Sequence, residues 1–299
     1  MTISARIKAI FGQDVFDYFQ RKQQGGANNQ RGSRYEDFFS ILQLAKLFYL
    51  LMAENVQSDI EIHAQAEAFV DDLLIADQHY HSQRHFQLKN TINIEWGKGF
   101  KSISDDFEKQ KRLNDCLGIE NTLTVLVCSD EVKAQELKEK IPPTIANFSQ
   151  VIFFPYQETL NHLLLSHEEF KDSLKRICFS SEIDKLEALA VMILGCWSDK
   201  KTTIYSVAQL LTHLQNTMPN YLAKADAGTE LLYEVKNILA AIANFNYVIE
   251  NGYFSWTYGN GLDTGVFLYP IDSEQFSDLQ RRIIAQHPKQ FAELEGILL

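Results

Sequence analysis

Apolar positions in residues 3–22 recur with helical spacing and then stop at QQGGANNQRGS (23–33), where Gly, Asn and Gln predict a loop. The run from Arg34 to Ala53 puts Phe38, Ile41, Leu42 and Ala45 at i, i+3, i+4 and i+7 and is apolar on most other faces as well. A helix apolar nearly all round is a buried one. Ile60–Ala68 and Phe69–Ala76 then read as extended segments, and 84–90 alternates cleanly. Phe86 and Leu88 take one face of that strand, and His85, Gln87 and Lys89 the other. Residues 104–116 predict a helix, with Ser104 as N-cap, acids in the first turn and bases later. TLTVLVCS (122–129) is a nearly unbroken apolar run, the pattern of a strand buried on both faces. The polar helix DEVKAQELKEKI follows, stopped by Pro142–Pro143, and VIFFPY (151–156) makes another buried strand. The order is that of an α/β domain.

After residue 157 the pattern changes to helical segments separated by short polar breaks, up to residue 245. FNYVIENGYFSWTYGNGLDTGVFLYP then reads as a β-ribbon with turns at Asn251–Gly252 and Asn260–Gly261. A last helix is interrupted at Pro288. Two domains are expected, 1–157 and 158–299, the second mainly helical and winged-helix-like in its order of helices and ribbon. The helix that would read DNA in such an arrangement, TELLYEVKNILAAIANF, is acidic outside, so a partner-docking or dimerisation role fits it better.

Composition changes this picture in three ways. With 45% hydrophobic and 22% charged residues, the chain is not of the disordered class. Its net charge of -11 excludes polyanion binding over the whole surface and leaves local basic patches. Cys116, Cys128, Cys178 and Cys196 lack metal-site spacing and read as buried free thiols in a reducing compartment. The N-terminus has no continuous apolar core of a signal peptide, and the longest apolar run, near Leu44–Ala53, is too short for a bilayer. A cytoplasmic protein with no membrane association is expected.

The chemistry concentrates in residues 68–90. Acids at a strand end facing an amide and an ammonium suit a divalent cation and a phosphate oxygen. Asp72, directly before Leu73-Leu74-Ile75, is the favoured ligand, although a one-residue shift would turn Asp71 inward instead. Gln87 offers a side-chain oxygen and Leu88 a carbonyl. Lys89 lies on the same face as Gln87, and Glu36, at the start of the buried helix, can act as an outer carboxylate. For phosphate contacts the candidates are Lys98 and Lys101 around the Gly-Xaa-Gly of WGKGF, with Arg34 and His85. His79, His81 and His85 supply too few ligands for zinc.

Glu36 on the first helix, Asp71-Asp72 at a strand end and Gln87-Leu88-Lys89 on the next strand together resemble the PD-(D/E)XK restriction-endonuclease-like superfamily. More narrowly, they resemble its Gln-variant nuclease modules from bacterial antiphage defence effectors. Asp71 stands where that family has Pro, and Gln87 where it usually has an acid. The resemblance covers residues 25–156. It implies an α/β restriction-endonuclease-like core (α-β-β-β-α-β), which the residue pattern after 157 extends with a mainly helical C-terminal domain with a β-ribbon. It also implies DNA cleavage dependent on Mg²⁺ or Mn²⁺, an ATPase or sensor subunit as partner, and self-association. The alternative is an adaptor that keeps the fold and serves as an assembly subunit.

Overall fold

The computed structural model describes residues 3–29, 34–54, 59–198, 204–218, 220–224 and 231–298. Helices α1 (Ile3–Phe11) and α2 (Gln13–Asn29) open the chain. The break falls at Gly12, whose φ of 83° is the left-handed conformation glycine adopts freely. Residues 23–29, expected as loop, continue α2 instead, and 30–33 lie outside the described residues. Each glycine costs a helix only about 1 kcal/mol, too little to stop one already propagating from QDVFDYFQRK.

Helix α3 (Arg34–Glu54) is the central buried helix. It leads into β1 (Ile60–Ala64), β2 (Leu73–Asp77) and β3 (Ser82–Lys89), an antiparallel meander. The extended segments expected to run continuously from 60 to 76 are separated by a turn. Gln65 takes a left-handed φ of 50°, and Ala66 N–H donates to the Asp71 carbonyl across the bend at 2.8 Å. Helix α4 (Ile103–Leu117) is capped by Ser102, not Ser104, because the Ser102 hydroxyl accepts from Asp105 N. Gly118 closes it in the left-handed conformation. Strand β4 (Asn121–Cys128), helix α5 (Glu131–Glu139) with Asp130 as its cap, and β5 (Ser149–Phe153) follow. β3, β4 and β5 are parallel.

The next helices are α6 (Leu160–Ser166), α7 (Glu168–Lys175) and α8 (Ile183–Ser198). A short strand, β6 (Ile204–Ser206), pairs with β1, and α9 (Val207–Thr217) follows it. The result is a mixed six-stranded sheet of order β5-β4-β3-β2-β1-β6. On one face, Ile62, Ile75, Phe86, Leu88, Val125 and Val127 pack with α3 and with apolar side chains of α6 to α9. The apolar core therefore continues past residue 157, where the sequence changes character. On the other face, Leu126, Cys128 and Val151 lie under Phe107 of α4 and Leu137 of α5, joined by Ile94 and Trp96. β4 is buried on both faces, as its apolar run predicts.

A second apolar cluster runs from Leu231 to Leu298. It joins α10 (Tyr233–Ala240) to the ribbon β7 (Phe245–Glu250), β8 (Tyr253–Tyr258) and β9 (Asp263–Val266), and to α11 (Glu274–Gln286) and α12 (Phe291–Leu298). Asn251 and Gly252 both have positive φ, as a two-residue hairpin turn requires. The ribbon aromatics pack against α12, with Tyr258 stacked on Phe291 at 4.0 Å between ring centroids. Of the cysteines, Cys128 and Cys178 are buried, Cys196 is half-buried, and Cys116, on the outer side of α4, is exposed, contrary to expectation. No helix among the described residues is long and apolar enough to cross a membrane.

Candidate functional site

The register of the β2–β3 hairpin builds the site. Leu73 faces Phe86 and Leu74 faces His85, so Asp72, one residue before β2, comes level with Gln87 on the side away from α3. Asp72 Oδ2 accepts from Gln87 Nε2 at 2.5 Å and from the Leu88 N–H at 2.7 Å. Asp71 is only 3% exposed, while Asp72 is half-buried and meets Gln87. Leu88 contributes its N–H.

Glu36, in the first turn of α3, does not touch Asp72 directly. Its Oε2 accepts from Gln65 Nε2 at 3.0 Å, and Gln65 N–H donates to the Asp72 carbonyl at 3.2 Å. Gln65 is the link between the two acids, and nothing in the residue pattern marks it. Its role depends on a left-handed backbone that turns its side chain towards α3. Lys89 follows Gln87 on the same face, half-buried and without an ion pair among the described residues.

Gln110 is a second contributor invisible to sequence reasoning. It is 1% exposed, and its Oε1 accepts from Phe69 N at 2.8 Å and Val70 N at 3.4 Å. Helix α4 thereby pins the 65–72 turn that carries Asp72. The Gln110 amide and Asn114 Nδ2 both donate towards His85 Nε2, at 3.3 and 3.2 Å. His85 Nδ1 in turn donates to the Val70 carbonyl at 3.2 Å. Burial holds the His85 pKa down to about 4, against a smaller upward pull from the Val70 carbonyl, and the nearby His63 lowers it further. His85 is therefore a neutral, fully buried ring that supports the turn and is out of reach of a phosphate. A cavity of about 280 Å³ lies beside it, lined in part by His63, Glu67, Gln83 and Asn114.

The other phosphate-contact candidates lie on the surface. Lys98 is exposed between Gly97 and Gly99, both at positive φ. Lys101 is exposed, with its ammonium 5.3 Å from the Phe100 ring centroid and 5.6 Å from that of Tyr18. Arg34 donates to the Glu158 carbonyl at 2.6 Å. His79 and His81 lie in the exposed β2–β3 turn.

The donor set can be tested against magnesium. That ion takes oxygens at about 2.0–2.1 Å in an octahedron, which sets neighbouring oxygens roughly 2.9 Å apart. The ends of Asp72 and Gln87 are closer than that, and a half-turn of the amide puts its oxygen where its nitrogen stands. Asp72 Oδ1 has no donor among the described residues. The pair offers one charged and one neutral oxygen donor, and a cation between them would require the two ends to move apart. No group of three or more His, Cys, Asp or Glu among the described residues could hold a metal, so any cation here would depend on Gln87 and not on an acid cluster. Comparison with protein-family models, with curated proteins and with solved structures finds no match to this chain.

Proposed function

We propose that this chain is a metal-dependent DNA endonuclease of the PD-(D/E)XK type, the effector of a prokaryotic antiphage defence system that an ATPase or sensor subunit switches on. The observation that carries the reading is the contact of Asp72 with Gln87, with Lys89, which has no ion pair among the described residues, next on the same face. The order helix, three strands, helix, strand around that contact supports it.

In this reading Asp72 and Gln87 hold magnesium or manganese, and Glu36 reaches the site through Gln65. A cation held there would supply positive charge to the phosphate oxygens and lower the pKa of a water molecule. Lys89 adds a compact positive charge where the phosphate gains negative charge, and its half-burial strengthens that effect over what water would allow. Gln110 and His85 keep the Asp72 turn in place. Lys98 and Lys101 supply backbone contacts to DNA on a surface otherwise too acidic to attract it.

One observation favours a second reading, an assembly subunit that keeps the fold without cleaving. Asp72 Oδ2 is already satisfied by two neutral donors, so the site is stable without a cation. Plasmid nicking by the purified chain in Mg²⁺ or Mn²⁺ separates the two. Nicking that Asp72→Ala and Lys89→Ala abolish supports the nuclease. Nicking equal in wild type and both variants, or none even with the product of the neighbouring gene present, supports the assembly subunit.

A further inference from the structure

Strand β5 is an edge of the six-stranded sheet, and among the described residues its only neighbour there is β4. In a parallel pair, alternate residues direct their main-chain groups to the same neighbour. Phe148 O accepts from Thr124 N at 2.8 Å, and Phe154 N donates to Cys128 O at 2.9 Å. Even-numbered residues therefore serve β4, and Ser149, Val151 and Phe153 turn their N–H and C=O groups outward. No other segment among the described residues bonds them. Protein edges are commonly guarded by lysine, proline or a bulge, and SQVIF has no charged residue and no proline.

A groove of about 610 Å³ runs between this edge and α5, lined by Glu131, Val132, Gln135, Lys138, Val151 and Ile152 among others. Val132 is 80% exposed there. Three groupings account for the charges of α5 and its C-cap, one of them Glu139, which accepts from Gln135 Nε2 at 2.7 Å. Lys133 and Lys140 both bond Glu136, at 3.0 and 2.9 Å. Glu131 and Lys138, which border the groove, have no ion pair among the described residues. Seven residues apart, they are separated by about 10.5 Å along the helix and cannot meet each other. An unpaired acid at one end of a groove and an unpaired base at the other match an inverted copy of the same groove.

We propose that this face binds a second copy of the chain, with β5 antiparallel to β5 about a two-fold axis near Val151. The two sheets become one, joined by up to about six main-chain hydrogen bonds. Glu131 of each subunit then faces Lys138 of the partner subunit. Ala134 and Leu137 of α5 pack in one apolar cluster with residues of β4 and β5, so pairing the two β5 edges brings the two copies of α5 side by side on one face.

The test is sedimentation velocity of the full chain over a concentration series. Wild type is expected to form a dimer. Glu131→Lys or Lys138→Glu alone should weaken it by at least on the order of tenfold, since each turns two attractions into repulsions. An equimolar mixture of the two variants should dimerise as wild type does, because the swapped charges pair again. Both are surface changes that leave the core intact. A chain monomeric at every concentration would assign the edge to an extended segment of another protein and overturn the proposal. A dimer indifferent to either variant, or a mixture no tighter than its components, would overturn it as well.

Discussion

Gln87→Glu probes the site most severely, because the structure gives its effect opposite signs without and with a cation. The change removes the donor 2.5 Å from Asp72 Oδ2 and sets a second carboxylate in its place. Two unit charges 4 Å apart repel by about 4 kcal/mol at an effective dielectric of 20. Asp72 is half-buried, and water on its open side reduces this to about 2 kcal/mol. Loss of a hydrogen bond to a charged group adds about 1.5–3 kcal/mol. The variant should be about 3–5 kcal/mol less stable in EDTA, a melting point lower by roughly 6–20 °C for a chain of this size. The carboxylate pair also takes up a proton more readily than either acid does in the unfolded chain. Part of the loss should therefore return as pH falls from 7 towards 5. With magnesium the two acids flank a divalent charge, and most of the loss should return at pH 7. Thermal melts in EDTA and in magnesium measure both arms. A variant as stable as wild type in EDTA would refute the adjacency of the two side chains, and an equal loss in both conditions would refute a cation between them.

Other consequences follow from the supports of the site. Gln110→Leu leaves the buried Phe69 and Val70 N–H groups without an acceptor, so stability should drop by about 2–3 kcal/mol and amide exchange across 65–72 should quicken; exchange unchanged there would contradict the pinning. Because the folded chain holds His85 neutral down to about pH 4, the unfolded chain binds its proton first. That stability is complete above pH 6.5 and should decline as pH falls towards 4, by at most about 1.4 kcal/mol per unit, and His85→Gln should flatten the slope in urea titrations. Gly252→Ala meets both a φ of 78° and Lys224 Cβ at 2.7 Å, so it should destabilise the ribbon by more than about 1 kcal/mol, read by denaturant unfolding.

What the sequence made legible was local. The helix at 34–54 and the strand at 121–128 announce themselves by unbroken apolar runs, and the alternation at 84–89 puts Gln87 and Lys89 on one face. Proline positions gave the ends of α5 and α11 because proline fixes φ, and Asn-Gly gave the ribbon turn because both residues tolerate positive φ. What stayed hidden depends on partners distant in the chain. β6 is three residues long and exists through pairing with β1, some 140 residues earlier. Asp71 and Asp72 are equivalent in pattern, and only the pairing of Leu73 with Phe86 turns Asp72 to Gln87. Gln65 and Gln110 look like surface glutamines, and burial and tertiary hydrogen bonds give them their roles. His85 sits on the expected face of β3, but α4 covers it.

The most direct test of the central claim is calorimetric titration of the purified chain with Mn²⁺, beside Asp72→Ala and Lys89→Ala. The account predicts one bound ion in wild type, none at this site in Asp72→Ala, and binding kept in Lys89→Ala, whose defect is in cleavage alone. Binding that survives Asp72→Ala unchanged, or no binding in wild type, would contradict it.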